Sequence, residues 1–354
     1  MSARLHVMLG AGGVGKTTLA AGYALALGRA GAHVGLLGID PARRLASALG
    51  LALPDLDVAV PAAGDVRAAL LSPADCMRRW AGEACPDPAD RARLLENPFF
   101  LALADRLAAS SDLLAAVRLA EWAERDPHLT DLVVDTAPRL SAIEFLRRPR
   151  SLAAFVEGRL VGWLRWLARP RHHGAWGDAL GAGARRAASG LARIGGVGMV
   201  QKLAEFLALV EGMLAEMLAR VARAEAWLRE ESTEILLVTA VRDDAADTAA
   251  KLAGALRELG LAPRAIVVNR ALPDSLGDEL AGLSEPPALP DAVAFLRHAR
   301  ALAAMQRRVV SALAPLAPSI AVVPAARGLD EEGRLDALAV LGERLRVELA
   351  RSRA

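Results

Sequence analysis

The sequence predicts an α/β fold: a mostly parallel sheet covered by helices on both faces, with an inserted helical subdomain. Three observations lead there. Six short apolar runs, bounded by turn residues, recur at 4–9, 33–39, 131–135, 234–239, 264–269 and 319–323. Each is near-continuous rather than alternating, as a strand covered on both faces requires. Helical patterns such as 17–30 and 244–260 separate them, the spacing of βαβ units. Two spacers, 65–128 and 141–230, are too long for simple crossovers, carry no convincing strand and read as helices. The expected organisation is therefore a sheet core from 1–64, 129–140 and 231–354, with 65–128 and 141–230 as the inserted subdomain.

Composition narrows the function classes. The 354 residues carry 43 basic and 41 acidic side chains, a net charge of +2, which argues against a dedicated nucleic-acid binder. Hydrophobic residues reach 54 % but aromatics only 4 %, so Ala and Leu supply the apolar mass and favour helices. Arg or Asp interrupts every long apolar stretch, so no transmembrane segment is expected, and MSARLHVMLG lacks the layout of a signal peptide. Cys76 and Cys85 are the only cysteines, which excludes a disulfide framework or a four-thiolate zinc site within one chain. Two buried small hydrophobes are the plain reading, and the compartment expected is the cytoplasm.

The sharpest motif follows the first strand: Gly10, Ala11, Gly12, Gly13, Val14, Gly15, Lys16, Thr17 and Thr18 satisfy G-x-x-x-x-G-K-S/T. Glycines let backbone N–H groups turn inward around phosphate oxygens, and the helix that follows adds the positive end of its dipole. Lys16 is placed to reach the β- and γ-phosphates and the Thr17 hydroxyl to ligate Mg²⁺. Random matches in this composition number about 0.001. The same letters also spell Gly10-x-Gly12-x-x-Gly15, the dinucleotide fingerprint, with Asp40 where a ribose-binding acid would sit. A pyrophosphate-binding helix start has no use for a cation plus a hydroxyl, so Lys16-Thr17 favours a triphosphate, and an oxidoreductase is the weakest reading.

Two strand-end acids complete the candidate chemistry. Leu132-Val133-Val134-Asp135 is an apolar strand closing on a carboxylate, the arrangement that holds Mg²⁺ directly or through water. Asp40, followed by Pro41, is placed to position the attacking water, or to cap the next helix. No N-K-x-D motif follows the strand at 264–269, so adenine is preferred over guanine. The Asn269 amide suits adenine, and equally suits a loop cap.

With these residues in place the chain resembles the ArsA-like family of arsenite-pump and tail-anchored-protein-targeting ATPases, a deviant Walker-A class of P-loop proteins. GAGGVGKTT matches the phosphate loop, 39–50 (IDPARRLASALG) the first switch, and 133–149 (VVDTAPRLSAIEFLRRP) the second. IVVNR at 266–270 and VVPAARGLDEEGRLDAL at 322–338 resemble the late adenine-facing segments. The resemblance implies a P-loop ATPase using ATP and Mg²⁺. It implies Asp40 as the water-activating acid, Asp135 as a sensor of metal and γ-phosphate, and Asn269 and Pro324 flanking the base. It also implies a homodimer or a heterodimer with a paralogous ATPase, a cycle that moves the helical subdomain, and a hydrophobic or membrane-protein client.

Three departures stand out. Ala11 replaces the family's signature lysine, the zinc-clamping cysteine pair is missing, and Cys76 and Cys85 are not the widely separated thiols of metalloid activation. The expectation is an ArsA-like ATPase of other purpose than arsenite pumping, with a nucleotide-dependent scaffold of negligible turnover as the alternative. Other features read as structural: ten arginines among Trp163, Trp166 and Trp176 in 139–186, the pair His172-His173, and a Gly- and Ala-rich stretch at 174–198. Leu203, Leu207, Val210, Leu214 and Leu218 form one helical stripe, Met199, Met213 and Met217 fill core, and an amphipathic C-terminal helix at 331–351 packs on the sheet.

Overall fold

The computed structural model describes residues 3–39, 43–61, 63–108, 111–136, 215–284, 290–326 and 333–351, with scattered positions in 202–213. In chain order these form β1 (Arg4–Gly10), α1 (Lys16–Arg29), β2 (Val34–Gly38), α2 (Arg44–Leu49), β3 (Val58–Ala59) and β4 (Val66–Leu70). Helices α3 (Pro73–Ala84), α4 (Pro88–Glu96), α5 (Pro98–Ala108) and α6 (Ser111–Arg125) precede β5 (Asp131–Asp135). A helical run at 215–228 leads to β6 (Glu234–Ala240), α7 (Ala245–Glu258), β7 (Ala265–Ala271), α8 (Asp274–Gly282), α9 (Pro290–Leu313), β8 (Ile320–Pro324) and α10 (Arg334–Arg351).

The strands make one eight-stranded sheet in the order β3-β4-β2-β5-β1-β6-β7-β8, parallel except for the short antiparallel β3. All six strands read from the sequence are present. The fold is the α/β one expected, with a mostly parallel sheet of P-loop type. Strand β4 corrects the reading of 65–128 as wholly helical. Its five residues, VRAAL, offer two alanines and an arginine where a strand normally has branched residues. Pairing with β2 from Val34↔Val66 to Gly38↔Leu70 and burial in the sheet overrode that weak local preference.

Chain contacts divide the molecule into two units. The first comprises Met1–Leu71, Trp122–Leu146 and Ala226–Ala354, and the second Ser72–Glu121 and Arg147–Glu225. In the first unit β1 is central, flanked by β5 and β6. The chain builds outward on the β2 side first, then crosses to β6, β7 and β8. The C-terminal end of β1 is therefore the place where the order of winding reverses, the crevice in which open α/β sheets bind ligands.

Helix α1 shows why that end is held firmly. Its residues Leu19 to Gly28 are buried around almost the whole circumference, because the sheet lies on one side and α10 on the other. At the crossing the two backbones touch: a Cβ on Gly342 would lie 1.8 Å from the Gly22 carbonyl oxygen. Leu338, Leu341, Leu345 and Leu349 of α10 complete the layer; the C-terminal helix packs mainly on α1 and meets the sheet expected of it at β8.

The opposite edge of the sheet is tied by charge. His6, on β1, is 1 % exposed and bridges two acids, Nε2 to Asp131 Oδ1 at 2.9 Å and Nδ1 to Glu234 Oε2 at 3.1 Å. These residues come from β5, β1 and β6, so one imidazole pins three central strands. Burial opposes its protonation, but the hydrogen bonds to Asp131 and Glu234 outweigh this and raise its pKa above the ordinary 6.5.

In the second unit α3 and α4 each start from a capped first turn. Ser72 accepts from the Asp75 N–H, Asp87 accepts from the N–H groups of Ala89 and Asp90, and Pro73 and Pro88 take the first helical position. Cys76 and Trp80 are buried, and Arg79 grips the fully buried Glu121 through two bonds of 2.9 Å. Met213 and Met217 are buried as well, whereas Leu207, Val210, Leu214, Met199 and all of 139–198 lie outside the described residues. No helix among the described residues is long and apolar enough to cross a membrane.

Candidate phosphate-binding site

Strand β1 delivers the loop and α1 closes it. Gly10, at φ 157°, lies so close to β6 that a Cβ would sit 2.1 Å from the Val238 carbonyl oxygen. Gly15 adopts a left-handed φ of 90° and forms the N-cap of α1. No side chain caps α1 and no acid occupies its first turn, so its leading N–H groups and dipole end face the loop uncompensated. Lys16, only 5 % exposed, folds back over the loop and donates from Nζ to the carbonyls of Gly10 and Ala11, both at 2.9 Å.

In front of the loop lies a cavity of about 740 Å³, lined by Gly13, Gly15, Lys16, Thr17 and Thr18 together with residues from four other places in the chain. Arg44, Ser47 and Ala48 come from α2, Thr136 from the end of β5, Arg270 from β7, and Arg334 and Leu338 from α10. Four of these side chains are cationic and none is acidic. In a chain of net charge +2, that is a strong local concentration of positive charge. It suits a polyanion.

Asp135 closes β5 directly beside β1, in register with Met8 on one side and Gly38 on the other. Its side chain is fully buried. The next residue, Thr136, donates from Oγ1 to the Met8 carbonyl at 2.7 Å and lines the cavity. Asp40 and Pro41 lie outside the described residues. Ile39, the last described residue before them, donates its N–H to the Asp135 carbonyl at 2.9 Å.

Of the two roles the sequence offered Asn269, the contact made here is the one to a loop. Asn269 is 4 % exposed, and its Nδ2 donates to the Val14 carbonyl at 2.9 Å, bracing the phosphate loop from behind. Pro324, expected beside a base, is not among the residues lining the loop's cavity; it lines another with Leu272, Pro273 and Val347. Arg44, Thr136, Arg270 and Arg334 were not legible as site residues. All four lie within the segments that carry the family resemblance, at 39–50, 133–149, 266–270 and 322–338.

Residues 3–174 match the family model of anion-transporting ATPases. Over that stretch the chain is similar to ArsA-type ATPases. The matched stretch spans β1 to β5 and so includes the phosphate loop, Asp40 and Asp135, whereas Asn269, Arg270 and Pro324 lie beyond it. No curated protein matches the chain.

The residues present fit Mg²⁺. A hydroxyl on Thr17 and a carboxylate on Asp135 are hard oxygen donors, and this ion is usually held by only one or two protein ligands besides phosphates and water. The described residues contain no cluster of three or more His, Cys, Asp or Glu able to hold a metal by itself.

Proposed function

We propose that this chain binds ATP with Mg²⁺ at the β1–α1 loop, hydrolyses it, and uses the cycle as a dimeric switch that moves the helical unit. The observation that carries the reading is the loop Gly10–Thr18 at the reversal point of the sheet, with Lys16 inside it and the Asp135 carboxylate one strand away. Loop amides and the α1 N-terminus bind the phosphates. Lys16 exchanges the Gly10 and Ala11 carbonyls for phosphate oxygens, an ion pair replacing two bonds to uncharged acceptors. Thr17 and Asp135 are the proposed holders of Mg²⁺, which when bound neutralises charge on the β- and γ-oxygens. Asp40 orients the attacking water and accepts its proton. Asn269 is a positioning residue, keeping Val14 and hence the loop in its binding shape.

Steady-state phosphate release tests this. Lys16→Ala, Asp40→Asn and Asp135→Asn are each expected to lower turnover by about 100-fold or more, as removal of a transition-state contact does. Unchanged turnover in Lys16→Ala and Asp40→Asn together would remove the mechanism.

Ala11 supports a second reading. Without the family's lysine at that position, nucleotide binding and pairing of two chains proceed with negligible hydrolysis. Size-exclusion chromatography with and without ATP, beside the same phosphate assay, separates the two: pairing without phosphate release favours the scaffold. The arms of the switch that move, and the hydrophobic client they serve, belong to the same proposal and are tested by what co-purifies with Asp40→Asn.

A further inference from the structure

Arg270 is held in an unusual backbone state beside the phosphate loop. It is one of two described non-glycine residues with positive φ, at 56°, and it sits at the register shift between Asn269 and Ala271 where β7 pairs with β8. An extra residue at a strand end re-aims its side chain, and bulges of this kind collect beside functional sites. Left-handed backbone is unfavourable for an arginine and persists only where the surroundings over-determine it. Here they do: Asn269 on one side is buried and bonded to Val14, and Ala271 on the other is back in the ladder against Pro324.

The result is a guanidinium at the loop. Arg270 lines the same cavity as Gly15 and Lys16, and its Nε lies 3.9 Å from where a Gly15 Cβ would stand. Among the described residues no hydrogen bond or ion pair engages it, whereas Arg334, in the same cavity, donates from Nη1 to the Ser47 carbonyl. No acidic residue lines that cavity. A strained, braced cation facing a loop built for phosphate has no evident folding role.

We propose that Arg270 is a second cationic ligand for the polyphosphate chain of the nucleotide, held in place by the β7 bulge. The assignment rests on the reading of the loop as a nucleotide site. It adds a charge from a strand outside the family-matched stretch, so the grip on phosphate is shared between the β1–α1 loop and β7.

The test is calorimetric titration of Mg²⁺ and ATP into wild type, Arg270→Gln and Arg270→Gly, with thermal melts of each protein without nucleotide. Loss of a charge-assisted contact is expected to weaken ATP binding about tenfold or more in both variants. The penalty should shrink as NaCl is raised, since it is Coulombic. Arg270→Gly relieves the left-handed strain, so its melting midpoint should equal or exceed that of wild type while its affinity falls. Wild-type affinity in both variants overturns the proposal, and so does a penalty independent of salt, which would place the guanidinium against the base. A wild-type protein that binds no ATP would overturn the nucleotide reading itself, a result distinct from either.

Discussion

Asn269 turns one buried amide into the brace of the whole phosphate loop, because Val14 has no other side chain holding its carbonyl in the described contacts. Asn269→Ala removes that donor and leaves the Val14 carbonyl buried, at a stability cost of about 1–3 kcal/mol. ATP affinity should drop with it, as the loop loses its preset shape; urea denaturation and nucleotide titration on the same protein check both. Lys16 is the second decisive side chain. In this conformation its ammonium is satisfied by two loop carbonyls, so phosphate has to outcompete bonds already made. What was legible at this scale was the contiguous motif, since Gly10 to Thr18 act through neighbouring backbone. What was not legible was which loop Asn269 holds, 255 residues away at Val14, or that a bulge in β7 brings Arg270 to the same place.

At the scale of elements, the crossing of α1 and α10 fixes where the loop's helix starts. The approach of Gly22 and Gly342 leaves no space for a side chain on either helix. Gly342→Ala would gain about 1 kcal/mol of helix propensity in an open helix. Here the added carbon meets backbone, and overpacking of about 1–3 kcal/mol or more wins, so the variant should be less stable. Chemical denaturation of Gly342→Ala gives the sign directly. Helix α4 offers a smaller, cleaner case: Asp87→Ala removes two cap hydrogen bonds, at 2.8 and 3.0 Å, and should cost about 1 kcal/mol. The six strands announced themselves because strands buried on both faces are continuous apolar runs. Strand β4 did not, since its Ala-rich residues become a strand only through the neighbour they pair with.

At the scale of the whole molecule, the sheet separates two tasks. Its C-terminal edge carries the loop, Asp135 and the cationic cavity; its N-terminal edge carries His6 between Asp131 and Glu234. The His6 pKa is raised in the folded protein, so its contribution is fully present below 6.5 and fades as pH climbs through the folded value. Burial works against ionisation of Asp131 too, yet hydrogen bonds from His6 and Thr130 hold its carboxyl below 3.8; its contribution is present above that value and fades as pH falls through the lowered one. Stability should therefore be greatest between the two, declining as pH rises through the raised His6 value. His6→Gln should flatten the alkaline side of that profile and cost about 3 kcal/mol at its maximum, since two buried acids lose a partner. Urea midpoints measured across pH report it.

The central claim is that the turn after β1 grips a triphosphate. The most direct measurement is the thermal midpoint of wild type and Lys16→Ala with Mg²⁺ plus ATP, and with reduced nicotinamide dinucleotide instead. At ligand about 100-fold above the dissociation constant, ATP should stabilise wild type by about 2.7 kcal/mol, a shift of a few degrees, and leave Lys16→Ala nearly unmoved. A shift with the dinucleotide and none with ATP, or an equal ATP shift in Lys16→Ala, would contradict the account.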